Sequence, residues 1–182
     1  NALGVEAIAA FNAVTRVDDF AFTPEQSIAT AITTYVAQNR GAQQNERIRR
    51  GCAVGLRVEL GYWLLVGCVT LAFRGPILSL FVAGEGAADV VALGSEYLGY
   101  MAVFYALPAL TNGFQGFYRG MGKMTTTLIG TCMQAGLRAA AAAVLAPRVG
   151  LQRIAFACAF GWCVMLAVEV PYYFWTCKKK GL

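Results

Sequence analysis

Beyond residue 50 the apolar positions come in four long runs, at about 52–73, 93–118, 124–146 and 151–176, separated by short polar connections. A helix crosses a bilayer core with roughly 20 apolar residues, so each run predicts one crossing. The stretch before them is of a different kind. From Phe11 to Arg50 apolar residues are mixed with Arg16, Asp18, Asp19 and Glu25 before the chain breaks into a basic turn. At 100° per residue, Asn12, Arg16, Asp19, Thr23, Gln26 or Ser27, Thr30 and Thr34 fall on one stripe. Asp18 and Glu25, seven residues apart, share a second line beside it. In the company of four crossings this stretch reads as a fifth, its polar face turned to neighbours or to water. Ionisable groups at membrane depth are expensive and mark pathways or binding sites by default. The first helix is therefore the expected functional centre.

The same pattern carries local expectations. The first helix runs from about residue 4 to 38, longer than one membrane thickness. Pro24 removes a backbone donor and should bend it. Gly41-Ala42 should end it, leaving 43–50 as a polar lead into the second run. A competing structural reading pairs Arg16 with Asp19 so that they only neutralise each other. In the second run, Arg57 and Glu59 lie within about two turns of its end and read as snorkelling side chains. Gly51 and Gly55 make a GxxxG spacing suited to close helix approach. The stretch RGPILSLF at 74–81 reads as a short interfacial helix.

The third run presents Tyr97, Tyr100, Pro108, Asn112, Gln115 and Tyr118 within one broad sector; Asn112 and Gln115 predict contacts with neighbours or a water-filled cavity. In the fourth, Thr127, Thr131, Gln134 and Arg138 step by four, three and four, a protein-facing side on which Arg138 needs a carboxylate or carbonyl partner. The fifth is apolar until Glu169, two residues before Pro171. Glu169 reads either as interfacial or as a titratable, cation-binding carboxylate.

Composition agrees. Of 182 residues 58% are hydrophobic and 14% charged, against about 25% charged in soluble domains. The net charge of +5 is no nucleic-acid signal, because the basic residues sit in turns and at the C-terminus. Six cysteines lie within or beside apolar runs and read as small packing residues. Histidine is absent, which removes the commonest general base and metal ligand. With no Ser or Cys paired to a base and no metal-ligand cluster, an enzyme is not expected.

Loop charges suggest an orientation. Arg40, Arg47, Arg49 and Arg50 follow the first run, Arg119 and Lys123 the third, and Lys178, Lys179 and Lys180 the last. The second connection has Arg74 against Glu85 and Asp89, and the fourth has Arg148 with Arg153 just beyond. The positive-inside rule then makes 39–50, 119–123 and the C-terminus cytoplasmic. The start of the first helix falls outside, which predicts a further crossing upstream; the opening on Asn1 without a leader likewise reads as a fragment.

The connections also carry a resemblance. LGVEAIAAFN opening the first helix, VAQNRGAQQNERI closing it, FYRGMGKMTTTLIG between the third and fourth runs and GLQRIAFACAFGW in the last hairpin resemble the multidrug and toxic compound extrusion (MATE) family, in order and across nearly the whole chain. The resemblance implies an all-α membrane protein whose five or so transmembrane helices form most of one six-helix lobe. Residues 1–182 would be a partial C-terminal lobe, lacking its first helix and the whole N-terminal lobe.

It further implies an antiporter of a bacterial cytoplasmic membrane, driven by Na⁺ or H⁺ and exporting organic cations, with no cofactor beyond the coupling ion. The partners would be the organic cation, membrane lipids and the rest of the same transporter chain, with no nucleic acid. Asp18, Asp19, Glu25 and Glu169 would bind cation and substrate, with Gln26, Asn112, Gln115 and Gln134 as polar walls, Arg138 beside them, and Tyr105 adding cation–π contact. Glu169 matches the family by its place in the last helix. The acid that some members carry in the third-run helix has no counterpart between Leu98 and Tyr118. The alternatives are a flippase for a lipid-linked saccharide, which would line its cavity with basic groups, and a membrane scaffold that transports nothing.

Overall fold

The computed structural model describes the backbone at 5–83, 86–149 and 152–182, and the side chains at 7–83, 86–141 and 154–182. The opening Leu3-Gly4, Glu85, Arg148 and Arg153 lie outside the described residues. Among those described the chain is helical throughout: α1 (Val5–Gly41), α2 (Asn45–Ser79), α3 (Ala87–Phe104), α4 (Ala106–Gly120), α5 (Met124–Val149) and α6 (Gln152–Lys180).

Helix α1 is a single element of 37 residues that continues through Pro24, about 55 Å at 1.5 Å per residue. Its buried line is Ala10, Ala13 or Val14, Val17, Ala21, Glu25, Ala29, Ile32 and Val36, the three-and-four spacing of one helical face. Most of these are small, so neighbouring helices approach closely. The polar stripe from Asn12 to Thr34 is exposed along its whole length.

The breaks fall at prolines of other helices. Pro108 sits in the first turn of α4, where its ring meets the carbonyl four residues back, at Phe104. There the third run divides into α3 and α4, bent by 42°. Pro76 does the same to α2, which is non-helical at Phe73 (φ −117°, ψ 17°) yet resumes to Ser79. The stretch 74–81 is thus mostly the kinked end of α2 rather than a separate interfacial helix. The stop after α1 also differs from expectation. Gly41 is still helical, and the left-handed residue is Gln43 at φ 57°. The amide of Gln43 bonds Arg40 O and that of Gln44 bonds Asn39 O, closing the helix by a Schellman pattern. Gly122 repeats it after α4, its amide on Arg119 O and that of Lys123 on Tyr118 O.

These turns lie together. A Cβ on Gly122 would meet the Arg40 guanidinium at 2.5 Å, and Asn45 Nδ2 donates to Lys180 O at 3.3 Å. The basic turns after α1 and α4 and the basic tail therefore share one end of the bundle, as the loop charges require.

Among the described residues α2 and α6 are each long and apolar enough to cross a membrane, and the bent pair α3–α4 passes as one broken span. Helix α1, which carries Arg16, Asp18, Asp19 and Glu25, is not among these spans.

Helix α4 packs against α1 and runs parallel to it. Lipid tails are as apolar as the side chains, so small residues that permit close approach hold membrane helices together. A Cβ on Gly116 would stand 2.6 Å from Ala29 O, and one on Gly120 2.8 Å from Thr33 O. Gly51 and Gly55 serve the α1–α2 contact in the same way, facing Tyr35 and Ile32. Of the six cysteines, Cys52, Cys158 and Cys177 are buried packing residues; Cys68, Cys132 and Cys163 are exposed.

Replacing Gly116 by Ala forces a methyl onto a backbone carbonyl and is expected to destabilise the protein by about 1–3 kcal/mol. Gly136, with nothing within 4 Å of its Cβ position, should accept Ala with a gain of up to about 1 kcal/mol. Thermal unfolding in detergent compares the two.

Candidate functional site: a polar cleft with buried carboxylates

The bundle has two apolar clusters. One gathers Ala10 to Ala21 of α1 with Tyr97 to Tyr105 and Trp162; the other gathers Ile32 and Val36 with Ile48, Cys52 and Phe114 to Met121. Between them lies a polar seam. On α1 it holds Glu25, 1% exposed; on α2, Glu59, 0% exposed; on α4, Thr111 and Asn112.

The parallel register of α1 with α3 and α4 builds the contacts of the seam. The Tyr105 hydroxyl, at the α3–α4 break, donates to Asp18 Oδ1. Seven residues further along both helices, Asn112 Nδ2 reaches Glu25 Oε2 at 3.5 Å. A seven-residue step is two helical turns, so equal spacing on two parallel helices brings both pairs into register. The second line read from the sequence, Asp18 and Glu25, is thus the line that faces α3 and α4.

The polar stripe of α1 instead borders open space. A cavity of about 360 Å³ is lined by Gln26 and Thr30 of α1, Asn112, Gln115 and Arg119 of α4, Thr131 and Gln134 of α5, and Trp162 of α6. A larger one, about 560 Å³, takes in Asp18, Asp19, Tyr97, Arg138 and again Trp162. One cleft therefore runs along α1, with Trp162 in the wall of both parts. Gln115 Nε2 spans to Thr131 Oγ1 at 3.4 Å. Of the regular stripe of α5, Thr131, Gln134 and Arg138 border the cleft, whereas Thr127 is not among its lining residues.

The expected residues do not form a single cluster. Asp18 is half-buried and Asp19 exposed on the wall of the larger cavity. Gln26, Asn112, Gln115 and Gln134 line the smaller one, which contains no carboxylate. Tyr105 is fully enclosed, edge-on to Phe22 at 5.3 Å, with its hydroxyl committed to Asp18. Glu169 stands apart. It is 2% exposed, lines a separate apolar cavity of about 320 Å³ between α5 and α6, and neither carboxylate oxygen has a hydrogen-bond partner. Its backbone carbonyl accepts from the Tyr118 hydroxyl, so Glu169 is held within the bundle and not at an interface.

Two pairings expected from the sequence are not made. The ion pair among the described residues is Arg50–Glu46, at 2.5 Å. Arg16 and Asp19 are therefore not joined, and Arg138 has no carboxylate within 4 Å, although it shares a cavity with Asp18 and Asp19. Both arginines are exposed, and Arg138 borders the larger cavity.

Two residues of the site escaped the sequence reading. Glu59 does not snorkel: Arg57 is exposed, but Glu59 is fully buried with both carboxylate oxygens unpartnered. Its signal was its spacing, since Gly51, Gly55 and Glu59 repeat every four residues and so lie on the face that packs against α1. Trp162 had no polar neighbours to single it out.

A helical membrane lobe with a polar cleft and buried, unpaired carboxylates is the architecture of an integral membrane transport protein. Residues 1–145 match the MatE family model, and the chain belongs to that family. It is 26% identical over 129 residues to the probable multidrug resistance protein YpnP of Bacillus subtilis, covering 71% of this chain and 28% of that protein. The probable multidrug resistance protein NorM of Aromatoleum aromaticum is 30% identical over 108 residues, 59% of this chain and 23% of the relative. The chain spans about a quarter of the length of these curated relatives.

The fold superposes on a MOP superfamily transporter from Pyrococcus furiosus, described as having a binding pocket of reverse polarity that suggests a different function, with a TM-score of 0.90 at 18% identity over 98% of this chain and 40% of that one. A MATE structure in complex with MaL6 gives 0.87 at 18% identity over the same shares. The fold is that of one MATE lobe.

The Tyr105–Asp18 contact is testable by itself. Tyr105→Phe leaves a half-buried carboxylate without its donor and should cost about 1–3 kcal/mol. In a double-mutant cycle with Asp18→Asn the two changes should be strongly non-additive, read from the unfolding midpoint in detergent.

Proposed function

We propose that this chain is most of the second lobe of a secondary-active exporter, which expels organic cations from a bacterium in exchange for Na⁺ or H⁺. The observation that carries the reading is the sign of the interior. Among the described residues the charged side chains withdrawn from solvent are Glu25, Glu59 and Glu169, and none has a basic partner within 4 Å. Carboxylates in a low-dielectric interior attract cations and protons. The cleft beside them offers amides, hydroxyls and an indole face, a wall suited to an amphipathic cation.

In this reading the cleft faces the missing lobe, and rocking of the two lobes exposes it to each side in turn. Asp18 and Asp19 line the open part, while Glu25 lies one layer behind, in contact through Asn112. Arg119 and Arg138 border the cleft as well, but a carrier of lipid pyrophosphate would be expected to line its interior with basic groups. The interior is acidic, and the exporter is preferred. The basic end, with residues 39–50, 119–123 and the C-terminal lysines, is assigned to the cytoplasm on the positive-inside rule.

The test replaces Asp18, Asp19 and Glu169 together by their amides in the full-length protein and follows efflux of a cationic dye from cells or proteoliposomes. At least a tenfold loss of efflux is expected with protein levels maintained. Wild-type efflux after all three changes would remove the transport role assigned to these acids.

A further inference from the structure

We propose that the α5–α6 seam at the basic end of the bundle binds one anionic phospholipid. Its phosphate would sit between Lys123, Lys179 and the Trp175 indole, and the start of one acyl chain in the apolar groove beside them. The inference rests on the chain being a membrane lobe and goes beyond the transport reading, since it needs neither the cargo nor the coupling ion.

Side chains from two elements build the head of the site. Lys123, in the turn after α4, reaches α6, where its Nζ donates to Thr176 Oγ1 at 2.7 Å and to Tyr172 Oη at 3.1 Å. The same ammonium stands 4.4 Å from the centroid of the Tyr172 ring and 5.4 Å from that of Trp175. Lys179 stands 4.8 Å from the Trp175 centroid. Tyr172 and Trp175 are themselves stacked, 5.4 Å apart at 20°.

Two ammonium groups thus share one indole, and neither has a carboxylate within 4 Å among the described residues. An ammonium carries three donors. Lys123 commits two of them to α6, which leaves its third, and those of exposed Lys179, for a ligand. The dipole of α6 favours lysines in its last turn, but it does not account for Lys123 being drawn onto the same ring from another connection. An anion bound between the two offsets their repulsion.

The groove begins where this cluster ends. Tyr172 is also in the wall of the cavity of about 320 Å³ between α5 and α6, with Thr126, Ile129, Met133 and Val168. Thr126 to Met133 is two turns, about 10 Å of helix, room for the first carbons of a chain. Ile129 and Met133 lie two residues on either side of Thr131, hence on the face of α5 opposite that cleft residue. Ile129 and Val168 are exposed on this outer surface, and so are Phe174 and Trp175 near its basic end. Gly130 keeps the groove open: a Cβ there would stand 3.2 Å from Met165 Cε and 3.4 Å from Glu169 Oε1. Glu169 closes the inner side, and a carboxylate there keeps a negatively charged head at the outer end. Basic and aromatic groups above an apolar groove match the two halves of an anionic lipid.

The experiment uses the full-length protein purified in detergent and reads its unfolding midpoint as lipid is titrated in mixed micelles; a ligand of the native state raises it. Phosphatidylglycerol should raise the midpoint, whereas phosphatidylcholine with the same chains and glycerol 3-phosphate without chains should not. Lys123→Gln combined with Lys179→Gln should weaken the apparent affinity for phosphatidylglycerol by about tenfold. Val168→Trp, which fills the groove from its exposed side, should weaken it as well. Lys178→Gln combined with Lys180→Gln removes the same charge away from the ring and should weaken it by less than about threefold.

Equal loss in the two double variants would mean diffuse attraction to a basic end and would overturn the site. An equal shift with phosphatidylcholine would overturn the anionic head, and one with glycerol 3-phosphate would overturn the lipid. A shift produced by dodecyltrimethylammonium and abolished by Glu169→Gln would give the groove to a lipophilic cation and overturn the proposal. If Lys123→Gln does not fold, Lys179→Gln decides alone, since that side chain is exposed.

Discussion

The arrangement depends on the parallel packing of α1 against α3 and α4. Two polar pairs, Asp18 with Tyr105 and Glu25 with Asn112, recur at the same seven-residue interval on both partners, and glycines at 116 and 120 let the backbones close to contact distance. Neither device suffices alone. Without the glycines the helices would stand too far apart for the short Asp18 and Asn112 side chains to meet their partners. Without the polar pairs a smooth small-residue contact would leave the register of the two helices weakly fixed.

That packing divides the polar residues of α1 between two environments. The stripe from Asn12 to Thr34 is exposed, Asp19, Gln26 and Thr30 on it border the cleft, and Arg16 and Asp19 form no ion pair. The line of Asp18 and Glu25 turns inward, where each polar atom must find a donor or a cation. Charges on the first line are cheap to keep, and charges on the second are costly. Glu25 and Glu59 nevertheless stay in the interior, with no basic group within 4 Å of either. The α3–α4 break belongs to the same design, because Pro108 frees the chain at Phe104 and Tyr105 at the break is tied to Asp18.

The candidate site was legible in part. Asp18, Glu25, Asn112 and Gln115 stood out because polar residues inside apolar runs are rare, and each proved to lie in or beside the cleft. The position of Glu59 was misread because distance along the helix to its end favours snorkelling, whereas the direction of a side chain is set by the face that packs. Arg138 was expected to need a partner because its stripe was read as facing protein; it borders an open cavity and has no carboxylate within 4 Å. The stretch 74–81 read as a separate helix because Arg74, Gly75 and Pro76 interrupt an apolar pattern, yet a proline kink interrupts direction without ending the helix.

By itself the sequence determined the apolar runs and their approximate limits, the membrane class and the MATE family, since apolar run length, turn composition and loop charge are local quantities that a chain carries wherever it folds. Only the tertiary structure decided which acids are buried. Whether Glu59 faces lipid, water or the interior depends on the rotation of α2 about its axis, and that rotation is fixed by contacts between residues far apart in the chain, such as Gly55 with Ile32 and Glu59 with Gly113 of α4.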